Sequence, residues 1–331
     1  SRKDIVLVIT GDSLIAVVPK PEVSGAIEKI RGQLSDTLDQ SGISARDFWE
    51  VSASLFPGLP RAYLALRQIP PDLAGQVAAL RSRLGLDTAP WIRYGSMTPE
   101  QIIAENPASL HLPLEEILYV RGEDLVEDSG GDDLLVIRTA KREERWRFAL
   151  GGFYPARAVL FSRIGERQPI DPSGERILSI VPSCFEPGPK DFDFQYIFNL
   201  VFTDRRLILA VTPGGEDEVE RKWDKYMERL GKMAKENGVS FEAYAAGADL
   251  DDAPWQEFRK LTIPEILDAD GVNYFIPYDH LKGVAYRGGR KPKISLSFSS
   301  HTQELEADPM FAPGPLKKAQ QALQDIFSLT L

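Results

Sequence analysis

Residues 87–91 read "DTAPW", and 164 positions later residues 251–255 read "DDAPW". Held at that offset, the likeness runs without a gap from 86 to 120. Leu86 meets Leu250, Ala89 meets Ala253, Pro90 meets Pro254 and Tyr94 meets Phe258. Further on, Thr98 meets Thr262, Ile102 meets Ile266, Pro113 meets Pro277 and Val120 meets Val284. A spacing kept over that distance is an internal duplication, and a duplicated supersecondary unit decides the architecture before any motif does.

The repeated pentapeptide has a mechanical reading. Thr88 or Asp252 can cap a helix whose first turn holds Pro, where the missing N–H costs nothing. Trp91 and Tyr94, like Trp255 and Phe258, then fall three apart on one helical face. A capping box follows in each copy, Thr98 with Gln101 and Thr262 with Glu265. Trp91, Trp255, Pro113 and Pro277 are thus expected as structural anchors of the repeat. A catalytic reading of Asp87 and Asp251 would need a recurring His or metal partner beside them, and none recurs.

Upstream, a second block matches at an offset of 196: Val23, Ile27, Ile30, Leu34 and Leu38 fall on Val219, Trp223, Tyr226, Leu230 and Ala234. The spacing predicts an amphipathic helix in each copy. Both helices run into a Gly–β-branched–Ser turn, "SGIS" at 41–44 and "NGVS" at 237–240. The first copy carries 32 more residues than the second, near 57–84, which read as one more pair of helices.

Strand patterns flank each helical insert. "KDIVLVITGDSLIAVV" (3–18) and "FQYIFNLVFTDRRLILAV" (194–211) are β pairs. "SLHLPL", "ILYV", "LLVIRT" and "RWRFAL" follow in the first copy, then a helix, "YPARAVLFSRI" (154–164). "NYFIPY", "LKGVAY", "KISLSF" and "QELEA" follow in the second, then a helix at 315–327. With "RILSIV" at 176–181 the second copy has seven candidate strands. The first copy has no counterpart of "RILSIV", so either the natural chain begins upstream of Ser1 or another segment completes that edge.

The run "LVFTDRRLIL", then "FIPYDHLKGV", two alternating strands and a closing helix resembles the prokaryotic pleckstrin-homology-like domains and the related GRAM domains. Thr203, Asp204, Arg206, Leu207 and Ile208 carry the first part of the family pattern, and Ile276, Pro277, Leu281 and Val284 the second. The resemblance covers most of 176–331 apart from the insert. It reaches the first half only through the repeat, where "TGDSLI" departs from the charged turn. It implies an α+β fold of two such β-barrel or sandwich modules, each with a C-terminal helix and an inserted helical segment. The modules span 1–165 (insert about 20–105) and 174–331 (insert about 215–270), joined by "GERQPIDPSGE" at 165–175. It also implies binding of a protein, a peptide or a membrane lipid.

Composition agrees with a folded globular chain: 331 residues, 43% hydrophobic and 27% charged, with a net charge of −10. That charge argues against broad attraction to nucleic acid or anionic membrane. Cys184 is the single cysteine, which excludes an intramolecular disulfide and a cysteine metal cage. A cytoplasmic protein with no transmembrane segment is expected, peripheral to a membrane if it binds one.

Three motifs compete for function. "RGGRKPK" (287–293) is the compact basic loop, placing Arg287, Arg290, Lys291 and Lys293 together, with Lys282 as a helper, for an anionic lipid headgroup or an acidic peptide. Its counterpart, "GEDLVEDSGGDD" (122–133), is acidic. "GDSL" (11–14) matches the name-giving motif of the GDSL esterases, and a small-molecule hydrolase would use Ser13 with a His base. None of His111, His280 or His301 has the Asp three residues earlier that the family's base carries. The "SGIS" and "NGVS" turns suit a helix-turn-helix reader of nucleic acid, but Asp36, Asp39, Asp47, Glu50, Glu236 and Glu242 around them repel phosphate. The preferred reading is a non-catalytic binding or scaffold protein without metal or cofactor, its partner a protein or an anionic membrane surface, with the inserts anchored by Trp91 and Trp255.

Overall fold

The computed structural model describes residues 5–54, 71–124, 132–149, 153–165, 174–185, 196–214, 216–247, 253–288, 292–308, 311 and 315–321. The chain divides into two compact units, Ser1–Pro169 and Ile170–Leu331, each an α+β structure of antiparallel strands and helices. Part of the extra helical segment expected in the first copy, residues 57–70, lies outside the described residues.

In the first unit β1 (Val6–Ile9), β2 (Ser13–Val17) and β3 (Leu110–Pro113) form one sheet, and β4 (Ile117–Asp124), β5 (Asp132–Thr139) and β6 (Glu143–Ala149) another. Between β2 and β3 lie α1 (Pro21–Ser41), α2 (Ala45–Ser54), α3 (Pro71–Leu84), two 3-10 turns and α4 (Pro99–Glu105). The unit closes with α5 (Phe153–Gly165), whose contacts reach both sheets: β1 in one, and β4, β5 and β6 in the other.

The second unit repeats this plan with one strand more. It runs β7 (Ile177–Phe185), β8 (Ile197–Thr203), β9 (Arg206–Ala210), α6 (Glu216–Glu236), α7 (Phe241–Gly247), a 3-10 helix (Pro254–Lys260), α8 (Ile263–Asp268), β10 (Tyr274–Pro277), β11 (Leu281–Arg287), β12 (Lys293–Phe298) and β13 (Thr302–Ala307). Residues 315–321 are helical, within the stretch expected as the closing helix. The sequence reading expects two sheets folded into a barrel. The seven strands instead make one open ladder, β10-β9-β8-β7-β13-β12-β11, with β10 and β11 at its ends. The join is β7, which pairs with β8 on one side and, through Cys184 and Phe185, with β13 on the other. Register irregularities at Ile177/Ser179 and Val181/Cys184, and the left-handed Ser183 at φ 52°, bend it so that one strand serves two neighbours.

The two units share their pairing residue by residue. Pro113 faces Ser13 and His111 faces Ile15; Pro277 faces Arg206 and Phe275 faces Ile208. The first hairpin after each insert carries a bulge at the same place, Ile117/Tyr119 and Leu281/Gly283. A one-residue slip would turn every apolar side chain of a strand outward, so register this well preserved reflects the same buried face in both copies.

The inserts carry cores of their own. In the first unit Leu34, Leu38, Phe48, Val51, Val77, Leu80 and Leu84 pack together, and Trp91 touches both this cluster and the sheet-side cluster of Ile15, Val17, Tyr94 and Ile102. Trp91 therefore rivets insert to sheet. Trp255 does the heavier work in the second unit, where its ring meets Trp223, Tyr226 and Phe311 at centroid distances of 5.3, 5.5 and 5.4 Å. The expected caps Thr88 and Asp252 need correction. The N-caps are the extended Ala89 and Ala253, neither with a side-chain hydrogen bond; Thr88 Oγ1 donates instead to Gly85 O, and Asp252 lies outside the described residues. Pro90 and Pro254 occupy the first turn, and the helices are 3-10, whose three residues per turn stack Trp91 over Tyr94 and Trp255 over Phe258. Both capping boxes form.

Candidate functional site

The basic loop opens at the ends of β11 and β12, where Arg287 and Lys293 face each other across the ladder. Both reach one carboxylate on the next strand. Lys293 Nζ donates to Glu304, and Arg287 Nη2 lies 3.7 Å from it. The Lys293 hydrogen bond and charge hold the Glu304 carboxyl below the usual carboxylate range. Gly289, Arg290 and Lys291 lie outside the described residues. Lys282 does not join the group: it sits in the bulge at the other end of β11, five residues or about 17 Å of strand away. The acidic counterpart begins on β4 and ends on β5, with 125–131 outside the described residues.

Sequence reasoning missed the contact that the fold makes at Ser13. Its Oγ lies 3.0 Å from Nε2 of His111, because Ser13 faces Pro113 and His111 is two residues back on the same side of the neighbouring strand. Asp12 accepts a 2.9 Å hydrogen bond from Thr10 Oγ1. That bond and one with Ser13 hold the Asp12 carboxyl below its ordinary value, helped by the nearby His111. Ser13 is buried while His111 is exposed. The Ser13 N–H donates to Thr10 Oγ1 at 3.0 Å, so that amide is engaged in the turn and is not free to receive an oxyanion. The repeat held a usable signal: once Pro113 is aligned with Pro277, the shared register sets His111 diagonal to Ser13.

At the matching place in the second unit, Arg206 stands for Ser13 and Phe275 for His111. Arg206 Nε donates to Glu175 Oε1 at 3.0 Å, with side-chain exposures of 1% and 0%. The guanidinium lies over the Phe275 ring at 4.9 Å. Thr203 Oγ1 receives the N–H groups of Arg205 and Arg206 and lies 2.6 Å from Glu175. Asp204 accepts from the N–H and the guanidinium of Arg176. Thr203, Asp204 and Arg206, the polar letters of the motif, thus all grip Glu175 and Arg176, the residues that lead into β7. Burial, with Glu175 nearby, also raises the Tyr278 hydroxyl's pKa, and that hydroxyl donates to Thr203 O at 2.8 Å.

The helix-pair turns are helix stops and caps. Gly42 and Gly238 are left-handed, at φ 68° and 64°. Ser44 Oγ accepts from Asp47 N–H, and Ser240 Oγ from Ala243 N–H. Asp87, the acid of the repeated pentapeptide, is paired with the buried Arg81. Among the described residues no three His, Cys, Asp or Glu side chains gather as a metal site, and no helix is long and apolar enough to cross a membrane. No protein-family model, no curated protein and no solved structure matches the chain.

Proposed function

We propose that the chain is a non-catalytic binding protein built from two pleckstrin-homology-like modules, and that its ligand is a polypeptide. The observation that carries this reading is the strand ladder of the second unit. Its seven antiparallel strands and terminal helical segment follow the order that the motif implies, and the polar motif residues act within it as a clamp on the first strand. The first unit repeats the same hairpins in the same register. A polypeptide is favoured over an anionic lipid because Glu304 pairs with two of the predicted basic residues, offsetting part of their charge, and Lys282 stands apart from them. The test is selection from a library of displayed random peptides on the full chain, with vesicle flotation in parallel. Enrichment of one peptide class, with no flotation on anionic vesicles, is the expected result. Salt-sensitive flotation lost in Arg290→Glu with Lys291→Glu would replace the polypeptide with a lipid, and no enrichment would remove it.

A second reading rests on the 3.0 Å contact of Ser13 with His111, the pairing a hydrolase would use for its nucleophile and base. Cleavage of a chromogenic ester that disappears in both Ser13→Ala and His111→Gln would establish it.

A further inference from the structure

We propose that the α6–α7 helix pair of the second unit is the docking surface for an amphipathic helix of a partner protein, laid on it as α3 is laid on the matching pair in the first unit. This rests on the binding reading above and names its site.

The repeat supplies the comparison. At the offset of 196, α6 corresponds to α1 and α7 to residues 45–51 of α2. In the first unit α3 packs on both of those helices, and its Val77, Leu80 and Leu84 share a core with Ile43 and Phe48. The second unit has no length for such a helix. Five residues separate Gly247 from Ala253, against the fourteen of α3.

The positions that α3 helps to bury are open in the second unit. Ile43 and Phe48 are buried, whereas their counterparts are Val239, 47% exposed, and Tyr244, half-buried. Thr37 is buried, and its counterpart Met233 is 37% exposed. These residues gather where the two helices join. The Tyr244 hydroxyl donates to Met233 Sδ at 3.7 Å, and the Val239 N–H donates to Ala234 O at 3.1 Å, on the last turn of α6. A face that had merely lost its cover would drift toward polar residues, which water accepts at no cost. Here Val239 stays apolar and the small Thr37 is matched by a Met, whose flexible thioether moulds to a partner's surface.

The chemistry of the occupant follows. In α3 the packing stripe is Leu73, Val77, Leu80 and Leu84, at spacings of four, three and four, so the partner helix carries apolar anchors in that rhythm. Arg229 stands one helical turn before Met233 and Lys225 one turn before Arg229, both exposed, so the flank of the partner helix beside them is acidic. The nearby Glu236 is engaged by Lys232 at 4.0 Å. The chain's own α3 is committed elsewhere, because its buried Arg81 donates to Ser52 O and Asp87 in the first unit.

The probe is a labelled peptide of residues 71–84, stapled between positions 75 and 79 and carrying Gln76→Glu and Arg83→Glu, titrated into the full chain by fluorescence anisotropy. Saturable binding is expected. It should weaken about tenfold in Met233→Ser with Val239→Ser, which alters exposed side chains alone, and stay unchanged in Ile197→Ser, an exposed apolar residue of β8. A peptide with Gln76→Lys and Arg83 kept should bind about threefold more weakly, and Arg229→Glu should reverse that order. Binding that ignores the double change would overturn the helix site and leave the binding reading standing, as would displayed peptides enriched equally on the parent and the double variant. Binding indifferent to the charge exchange would overturn the acidic flank, and no binding would overturn the proposal outright. Sedimentation velocity of the chain alone tests the other occupant: a dimer that is lost in the double variant would put a second copy on this face in place of the partner.

Discussion

Replacing Glu175 by Ala should unfold the second unit more readily than any single surface change, and the size follows from the geometry. The Arg206 side chain is 1% exposed, and the fully buried side chain of Glu175 is its carboxylate partner at 3.0 Å. Removing one member of a buried pair strands the other charge away from water, at a cost of about 3–5 kcal/mol. Thr203 adds little to the loss, because its hydroxyl has a second acceptor in Arg206 O at 2.8 Å. With a urea dependence of about 2 kcal/mol per molar, the midpoint should fall by roughly 2 M. Pulse-labelling hydrogen exchange against urea, read on peptides from β8 and β9, isolates this unit from the other. The paired change Glu175→Leu with Arg206→Met removes both charges and keeps the volume, and should lie within about 1 kcal/mol of the parent. A single change costing under about 1 kcal/mol would refute the reasoning, as would a paired change costing more than the single one.

Trp255→Ala should cost about 3–5 kcal/mol and erase much of the near-ultraviolet circular dichroism, since it empties the centre of the Trp223, Tyr226 and Phe311 cluster. Gly42→Ala and Gly238→Ala should each cost about 1 kcal/mol by thermal melting. Nothing lies within 4 Å of an added Cβ at either site, so the whole effect is the left-handed backbone, and Gly42→Asn should cost less. Hydrogen bonds from Thr262 N–H and Oγ1 hold the Glu265 carboxyl below its ordinary value, so the stabilisation it lends α8 is complete above about pH 4.3 and is lost as pH falls through the lowered folded value. Gln101 fills the same role in the first unit and cannot titrate. Backbone shifts at 262–266 should move on acidification and stay still in Glu265→Gln; equal movement in that variant would disprove the assignment.

Legibility followed the range of the interactions. The capping boxes, the Gly–Ser turns and the strand pairs are local, and their chemistry is written in adjacent residues; the capping boxes and turns form as the letters imply. Thr88 went astray because the reading assumed an α-helix, whereas Pro90 and the short run to Ser96 settle into a 3-10 helix capped by Ala89. Ser13 with His111, and Arg206 with Glu175, were hidden because their partners lie 98 and 31 residues away and meet only through strand pairing. The basic loop was legible as a charge run. What a charge run cannot display is Glu304, one strand over, taking up Arg287 and Lys293.

The differences between the two copies are not independent of one another. The buried guanidinium at 206 is met by Glu175, the residue that leads into β7 with Arg176. In the first unit no described strand takes that place, and the position equivalent to Arg206 holds Ser13, whose hydroxyl is satisfied by His111 from within the sheet. Thr10 is kept, and it still closes the hairpin turn through the Ser13 amide. The part of the motif that builds the turn is thus common to both copies, and the part that fastens β7 is found in the second. A Ser at 206 would leave Glu175 buried opposite a hydroxyl. Motif and strand thus go together: the letters that fasten β7 stand in the unit whose described residues include that strand.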